Sequence, residues 1–173
     1  MTLTTHAMIG AGLAAIFPGS FPVGFAAAFA SHYLLDAIPH WDYHLGSHKK
    51  GKEGTLEDDL KIDKNFLKDI LKISFDFFLG LALTSFIYGF YFKLPWPILF
   101  IGLIGGVLPD LLQFFYFKIR KEPLRFLQKI HLAIHNRNDF LRVKFPVLGV
   151  LLQAVFIVIF LFFLGFCVLR FEF

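Results

Sequence analysis

Ser31-His32-Tyr33-Leu34-Leu35-Asp36-Ala37-Ile38-Pro39-His40-Trp41-Asp42 closes an apolar run with two histidines and two carboxylates. On a helix, His32, Asp36 and His40 fall at i, i+4 and i+8, one face that drifts by about 80° over the set. Pro39 restricts Ile38 and ends regular helix there, which leaves His40 and Asp42 on the exit turn. Imidazole nitrogens and carboxylate oxygens at this spacing suit a divalent cation. They suit equally a buried imidazole–carboxylate pair with a purely structural role.

The sequence around this stretch is too apolar for a water-soluble domain. Hydrophobic residues make up 57 % of 173, Phe alone numbers 25, and the mean hydropathy is +0.65. The expectation is a single all-α integral-membrane domain over 1–173, with about five transmembrane helices and one interfacial amphipathic helix. The lone Cys167 excludes a disulfide framework and a Cys-rich zinc site. No basic segment precedes the first apolar run, so that run reads as a retained helix and not as a cleaved signal.

Residues 3–17 predict a short apolar helix with His6 near its start, and residues 22–38 a second one. Both are rich in Ala and Gly, which permits close helix contact, and both are near the lower length limit for a span. Residues 43–64 read as a cytoplasmic polar loop, with a short surface helix after Thr55 and with His44 and His48 solvated. A third helix over 65–92 buries Asp76 between Phe75 and Phe77. A fourth over 95–117 carries Gly105-Gly106-Val107-Leu108-Pro109-Asp110, where Pro109 frees the Gly105 carbonyl. Residues 118–144 are basic and amphipathic and predict an interfacial helix bearing His131 and His135 at i, i+4. Residues 146–169 predict a lipid-facing anchor whose one polar side chain is Gln153.

Charge placement orders these pieces. Seven Lys or Arg lie in 49–72 and eight in 118–144, leaving only Lys93 and Arg170 elsewhere. With five spans, both basic segments share one side. The positive-inside rule makes that side the cytoplasm of a multi-pass inner-membrane protein, with the N-terminus inside and the C-terminus outside. His6, His32, Asp36, His40, Asp76, Asp110, His131 and His135 then fall at one depth in one leaflet. Unpaired carboxylates in hydrocarbon cost several kcal/mol each, so their convergence points to shared cations. Those eight residues form the ligand pool, with Asp42 beside them as a supporting group or a further ligand.

Two or three divalent ions on mixed His and Asp ligands are the arrangement that hydrolyses phosphoesters. They lower the pKa of a bridging water, neutralise the phosphate and stabilise the leaving oxygen. Zn is the expected metal, with Mn or Fe as alternatives, and Asp36 and Asp110 are the candidate catalytic carboxylates. A site at the lipid–water boundary ringed by basic residues favours an anionic, phosphate-containing substrate such as a phospholipid or lipid-linked phosphate. Arg125 and Arg137 are its candidate contacts. The basic residues are juxtamembrane, so membrane lipid and not nucleic acid is the partner. No His-Glu-x-x-His, Gly-x-Ser-x-Gly or P-loop is present. The alternatives are a divalent-cation or proton transporter, which needs ionisable groups toward the outer leaflet, and a non-catalytic metal-binding scaffold.

Thr5-His6 followed by Gly10, the His32-x-x-x-Asp36 helix, Pro109-Asp110 and the His131/His135 pair resemble short motifs of a family of bacterial and archaeal membrane-bound metal-dependent hydrolases. One member of that family is under LexA control. The family is in turn similar to the zinc-dependent phospholipase C and P1 nuclease group, helical enzymes with three zinc ions. The resemblance implies that His32, Asp36, His131 and His135 are ligands and that Asp110 is a ligand or base. His135 stands where the phospholipase pattern has Glu, and the Pro-Asp element follows the His-x-x-x-Asp helix.

Overall fold

The computed structural model describes residues 1–52, 55–136 and 140–171, with side chains as far as Cys167. It is an all-α bundle. The helices are α1 (Leu3–Ala15), α2 (Phe21–Asp36), α3 (Lys64–Leu83, continued by π-helical turns over Thr84–Tyr91), α4 (Trp96–Ile119), α5 (Leu124–Ile134) and α6 (Pro146–Phe171). A second π-helical turn, Phe140–Lys144, leads into α6.

The inner layer is α1, α2 and α4, and small residues bring their backbones together. A Cβ on Gly10 of α1 would lie 2.6 Å from the Gly102 carbonyl oxygen and 2.9 Å from the Gly106 Cα of α4. One on Gly105 would lie 3.0 Å from the Ala28 Cβ of α2. Such backbone approach is what Gly and Ala allow between membrane helices. Because it is sheathed this way, α1 is buried along nearly all its length. Helix α2 starts with Pro22 in its first turn, where a missing N–H costs nothing, and stops at Asp36, as Pro39 demands.

Helices α3 and α6 are the outer layer. Leu67, Leu71, Phe75, Phe78, Phe86 and Phe90 run exposed along α3, and Leu151, Val155, Ile159, Phe162 and Phe166 along α6. Among the described residues, three helices are long and apolar enough to cross a membrane: Lys64–Tyr91, Trp96–Ile119 and Pro146–Cys167. Sequence reading expected five. Helix α1 has 13 residues and α2 has 16, or about 20 and 24 Å at 1.5 Å per residue, against a hydrocarbon core of about 30 Å.

Two expectations are corrected. The continuous interfacial helix over 118–144 is broken. Its first residues finish α4, Arg120 caps that helix with φ 50°, and α5 begins only after Pro123. Pro123 has no N–H to continue the α4 ladder and would clash with the carbonyl four residues back. The polar segment has no helix after Thr55. It forms a short antiparallel ladder, β1 (His48–Lys49) with β2 (Asp59–Leu60), His48 facing Leu60. Aspartate side chains take backbone amides there, Asp58 that of Gly51 at 2.7 Å and Asp59 that of Leu60 at 2.8 Å, which competes with helix formation. Buried Asp69 of α3 accepts from the Ser47 amide at 2.8 Å and hydroxyl at 2.7 Å, fastening the ladder to the bundle.

Candidate metal centre

Four chain segments deliver side chains to one point at the end of the inner layer. Asp36 is the last residue of α2, and its carboxylate is almost fully buried. Its Oδ2 lies 3.1 Å from His32 Nε2, one turn earlier on the same helix, and 3.2 Å from His131 Nε2 on α5. Its Oδ1 lies 3.2 Å from His6 Nε2 on α1. Asp110, a turn past the close α1–α4 contact, brings Oδ1 to 3.6 Å from His32 Nε2 and 4.0 Å from His131 Nε2. On the other side of Asp36 stand His40 Nε2, 3.8 Å from Oδ1, and His135 Nε2, 3.9 Å from Oδ2. Asp42 adjoins them, with Oδ2 at 3.6 Å from His135 Nε2.

The segments are held in place by their backbones. The Asn136 amide donates to the Asp36 carbonyl at 2.7 Å, tying the end of α5 to the end of α2. That bond keeps His131 and His135 beside Asp36, although His135 lies one residue past the helix and not on it.

Hydrogen bonds fix which ring nitrogen faces the centre. Nδ1 of His32 lies 2.8 Å from the Gly106 carbonyl, Nδ1 of His40 2.6 Å from that of Ile38, and Nδ1 of His135 3.0 Å from that of Asn136. A carbonyl only accepts, so each Nδ1 carries a proton and each ring turns its Nε2 inward. The carbonyl engaged by His32 is that of Gly106, next to the Gly105 carbonyl that Pro109 was expected to free, and α4 runs through Pro109 without ending.

This is the wrong company for a bare carboxylate. Among the described residues, buried His32 Nε2, Asp36 Oδ2 and both ring nitrogens of His6 make no hydrogen bond. An orphaned buried polar atom costs about 1–3 kcal/mol. Two groups have the spacing a cation needs: His32, Asp36, Asp110 and His131, and Asp36, His40 and His135, with the ligand atoms of each within 4.8 Å of one another. Tetrahedral zinc bonded at about 2.0–2.1 Å sets its ligands about 3.3–3.4 Å apart. The 3.1, 3.2 and 3.6 Å separations in the first group straddle that value. Asp36 is common to both groups.

The α-amino nitrogen of Met1 also enters the cluster, 3.0 Å from Asp36 Oδ1 and 2.9 Å from His40 Nε2. It puts a positive charge where the second group would hold its ion. Burial, and then the charge of this amine, hold the His40 imidazole down to about 4. The same amine and His135 outweigh burial at Asp42 and keep its carboxyl well below the usual range.

Of the expected ligands, His32, Asp36, His40, Asp110, His131 and His135 form the two groups. His6 adjoins them, stacked on His32 with ring centroids 3.9 Å apart. Asp76 does not join. Its Oδ2 accepts from the Thr4 amide at 3.1 Å, its Oδ1 from the Thr4 hydroxyl at 2.7 Å, and Tyr43 O–H closes on Oδ2. It therefore satisfies the start of α1 and is not a ligand. His44 is exposed, whereas His48 is half-buried, 3.4 Å from Asp58. Arg125 is exposed on α5, and Arg137 lies outside the described residues.

Gln153 proves more than a polar mark on an anchor. Its Oε1 accepts the Thr2 amide at 3.0 Å and its Nε2 donates to the Trp41 carbonyl at 2.9 Å, so α6 clasps the segments on both sides of the site. Compared with known proteins, the chain matches no family model, no curated protein and no solved structure.

Proposed function

We propose that this chain is a multi-pass inner-membrane hydrolase that cleaves a phosphoester of a lipid or lipid-linked substrate with two divalent cations bridged by Asp36. The observation that carries the reading is the cluster of inward-facing Nε2 atoms around buried Asp36, whose Oδ2 has no hydrogen-bond donor. The first cation is held by His32, Asp36, Asp110 and His131, and the second by Asp36, His40 and His135. Zinc suits this N/O set, and manganese or iron would also fit. When bound, such a pair activates a water and neutralises the phosphate. Among the ligands Asp110 is the more exposed carboxylate, at 31 % of its side chain, so it is placed to take a proton from water entering the site. The Gly106 carbonyl holds the His32 ring in orientation, and the Asn136 carbonyl does the same for His135.

The short α1–α2 hairpin is compatible with the proposed orientation. A re-entrant hairpin and a full double crossing both return the chain to its starting side. The basic segments 49–72 and 118–144 stay cytoplasmic and the C-terminus outside in either case. The resemblance of the short motifs to membrane-bound metal-dependent hydrolases supports the same activity.

The test is release of phosphate or of a phosphorylated headgroup from lipid in nanodiscs. Turnover should vanish on chelation, return with zinc or manganese, and be lost in Asp110→Asn. A second reading has an observation behind it. The Met1 amine on Asp36 would make the cluster a metal-free ion pair that only braces the helix ends. Protein purified without chelators that carries no metal would select that reading and remove the hydrolase.

A further inference from the structure

An open groove of about 800 Å³ lies between α5 and the loop at Thr55–Glu57, and His135 is part of its lining. Arg125 and Lys129 line its α5 wall one helical turn apart, Leu56 and Leu132 supply apolar surface, and Glu57 faces them from the loop. His135 is thus at once a lining residue of this groove and a member of the second cation group.

The cations of the groove are free, which sets them apart from their neighbours. Lys118 and Arg120 are held by Asp59 at 3.4 and 3.5 Å, and Lys72 by Asp69 at 3.5 Å. Among the described residues, Arg125 and Lys129 make no ion pair. Both are exposed on a helix that also carries buried Gln128 and His131. Along α5, Lys129 is six residues and Arg125 ten residues before His135, or about 9 and 15 Å of helix rise. Arg and Lys side chains long enough to reach back along the groove therefore meet whatever extends from the cation site toward the cytoplasmic loop. The two positive charges outnumber the one carboxylate opposite.

We infer that this groove is the headgroup subsite of the enzyme and selects a phospholipid whose headgroup carries a second anionic group, such as a phosphate monoester, beyond the phosphate at the cations. The inference rests on the hydrolase reading for what sits at His135. Among the described residues, that reading alone gives these two exposed cations no ion-pair partner. A guanidinium and an ammonium one turn apart suit the oxygens of a terminal phosphate, by a bidentate contact from Arg125 and a point charge from Lys129. A zwitterionic headgroup would place its ammonium against them.

The test uses the full chain in detergent with its metal content measured in parallel. The probes are dihexanoyl phosphatidylglycerol, dihexanoyl phosphatidylglycerol phosphate and inorganic phosphate. The doubly phosphorylated lipid should bind about tenfold more tightly than the singly phosphorylated one. Arg125→Gln with Lys129→Gln should bring the two lipids within about twofold of each other while metal content is unchanged, and Arg125→Lys with Lys129→Arg should keep the preference. Equal binding of the two lipids by the wild type, or a preference that survives the double Gln variant, overturns the subsite. A loss of inorganic phosphate binding as large as the loss of lipid binding also overturns it, since the groove would then hold a free anion. A preference that behaves as expected in a protein with no metal keeps the groove and removes the hydrolase instead.

Discussion

Asp36 and Asp76 are alike in sequence, each a carboxylate inside an apolar helix, and the structure gives them opposite surroundings. Asp76 is met by donors: the Thr4 amide, the Thr4 hydroxyl and the Tyr43 hydroxyl. Asp36 takes one donor, the Met1 amine at Oδ1, while its Oδ2 has none and is met by imidazoles. Around the carboxylate the rings of His32, His40 and His135 direct Nδ1 to a backbone carbonyl. A carboxylate supplied with donors is complete and holds a fold together. A carboxylate faced by lone pairs calls for a cation. Asp36 is buried and Asp76 only partly so, and the partners of their oxygens separate them further.

The largest effect should come from Asp36 itself. Asp36→Ala removes the shared ligand, so bound metal should fall from about two ions per chain to none, read by elemental analysis, and all turnover with it. Asp76→Ala should keep both ions and lose stability, by about 2–4 kcal/mol in unfolding from detergent, because Thr4 N–H and Tyr43 O–H are left unpaired. If Asp76→Ala lost the metal as well, the contrast between the carboxylates would be broken.

A smaller effect should link the two regions. Helix α1 presents Thr4 to Asp76 and His6 to Asp36, and Gln153 fixes its first turn by accepting the Thr2 amide. Gln153→Leu should cost about 1–2 kcal/mol of stability and leave metal stoichiometry intact. Loss of metal in that variant would show that α6 sets the site's geometry directly.

The smallest effect concerns acid and the metal-stripped protein. His40 is held down to about 4 from an ordinary 6.5. Its imidazole therefore takes up a proton in the unfolded chain before it does in the folded one. Stability contributed by the neutral ring is complete above pH 6.5 and falls as the pH drops toward 4, by at most about 1.4 kcal/mol per unit. His40→Gln should flatten that part of the curve, and an unchanged slope would place the acid sensitivity elsewhere.

Much of the site was legible because its signals are periodic or additive. His32 and Asp36 sit one turn apart, so any helix through them makes a pair. Counting Lys and Arg along the chain put Asp110, His131 and His135 on the same side before any contact was known. Asp76 was misassigned because its partners are ordinary residues, a Thr in a neighbouring helix and a Tyr in the loop, and no spacing rule announces them. Gln153 was visible as the one polar side chain of α6, but its bonds to Thr2 and Trp41 span more than a hundred residues. The break at Arg120 was missed because the apolar spacing of 124–134 was extended backward across Pro123, which alone marked the stop. Three long spans were plain from hydropathy, whereas the burial of α1 inside the bundle came from Gly–Gly contacts that composition permits without specifying.

X-ray absorption at the metal edge of the purified, metal-replete protein tests most directly whether one carboxylate joins two cations. The expected spectrum has nitrogen and oxygen ligands at about 2.0–2.1 Å and a metal–metal vector at about 3.5–4 Å, both lost in Asp36→Ala and kept in Asp76→Ala. A protein with no bound metal, or with isolated ions that survive removal of Asp36, would contradict it.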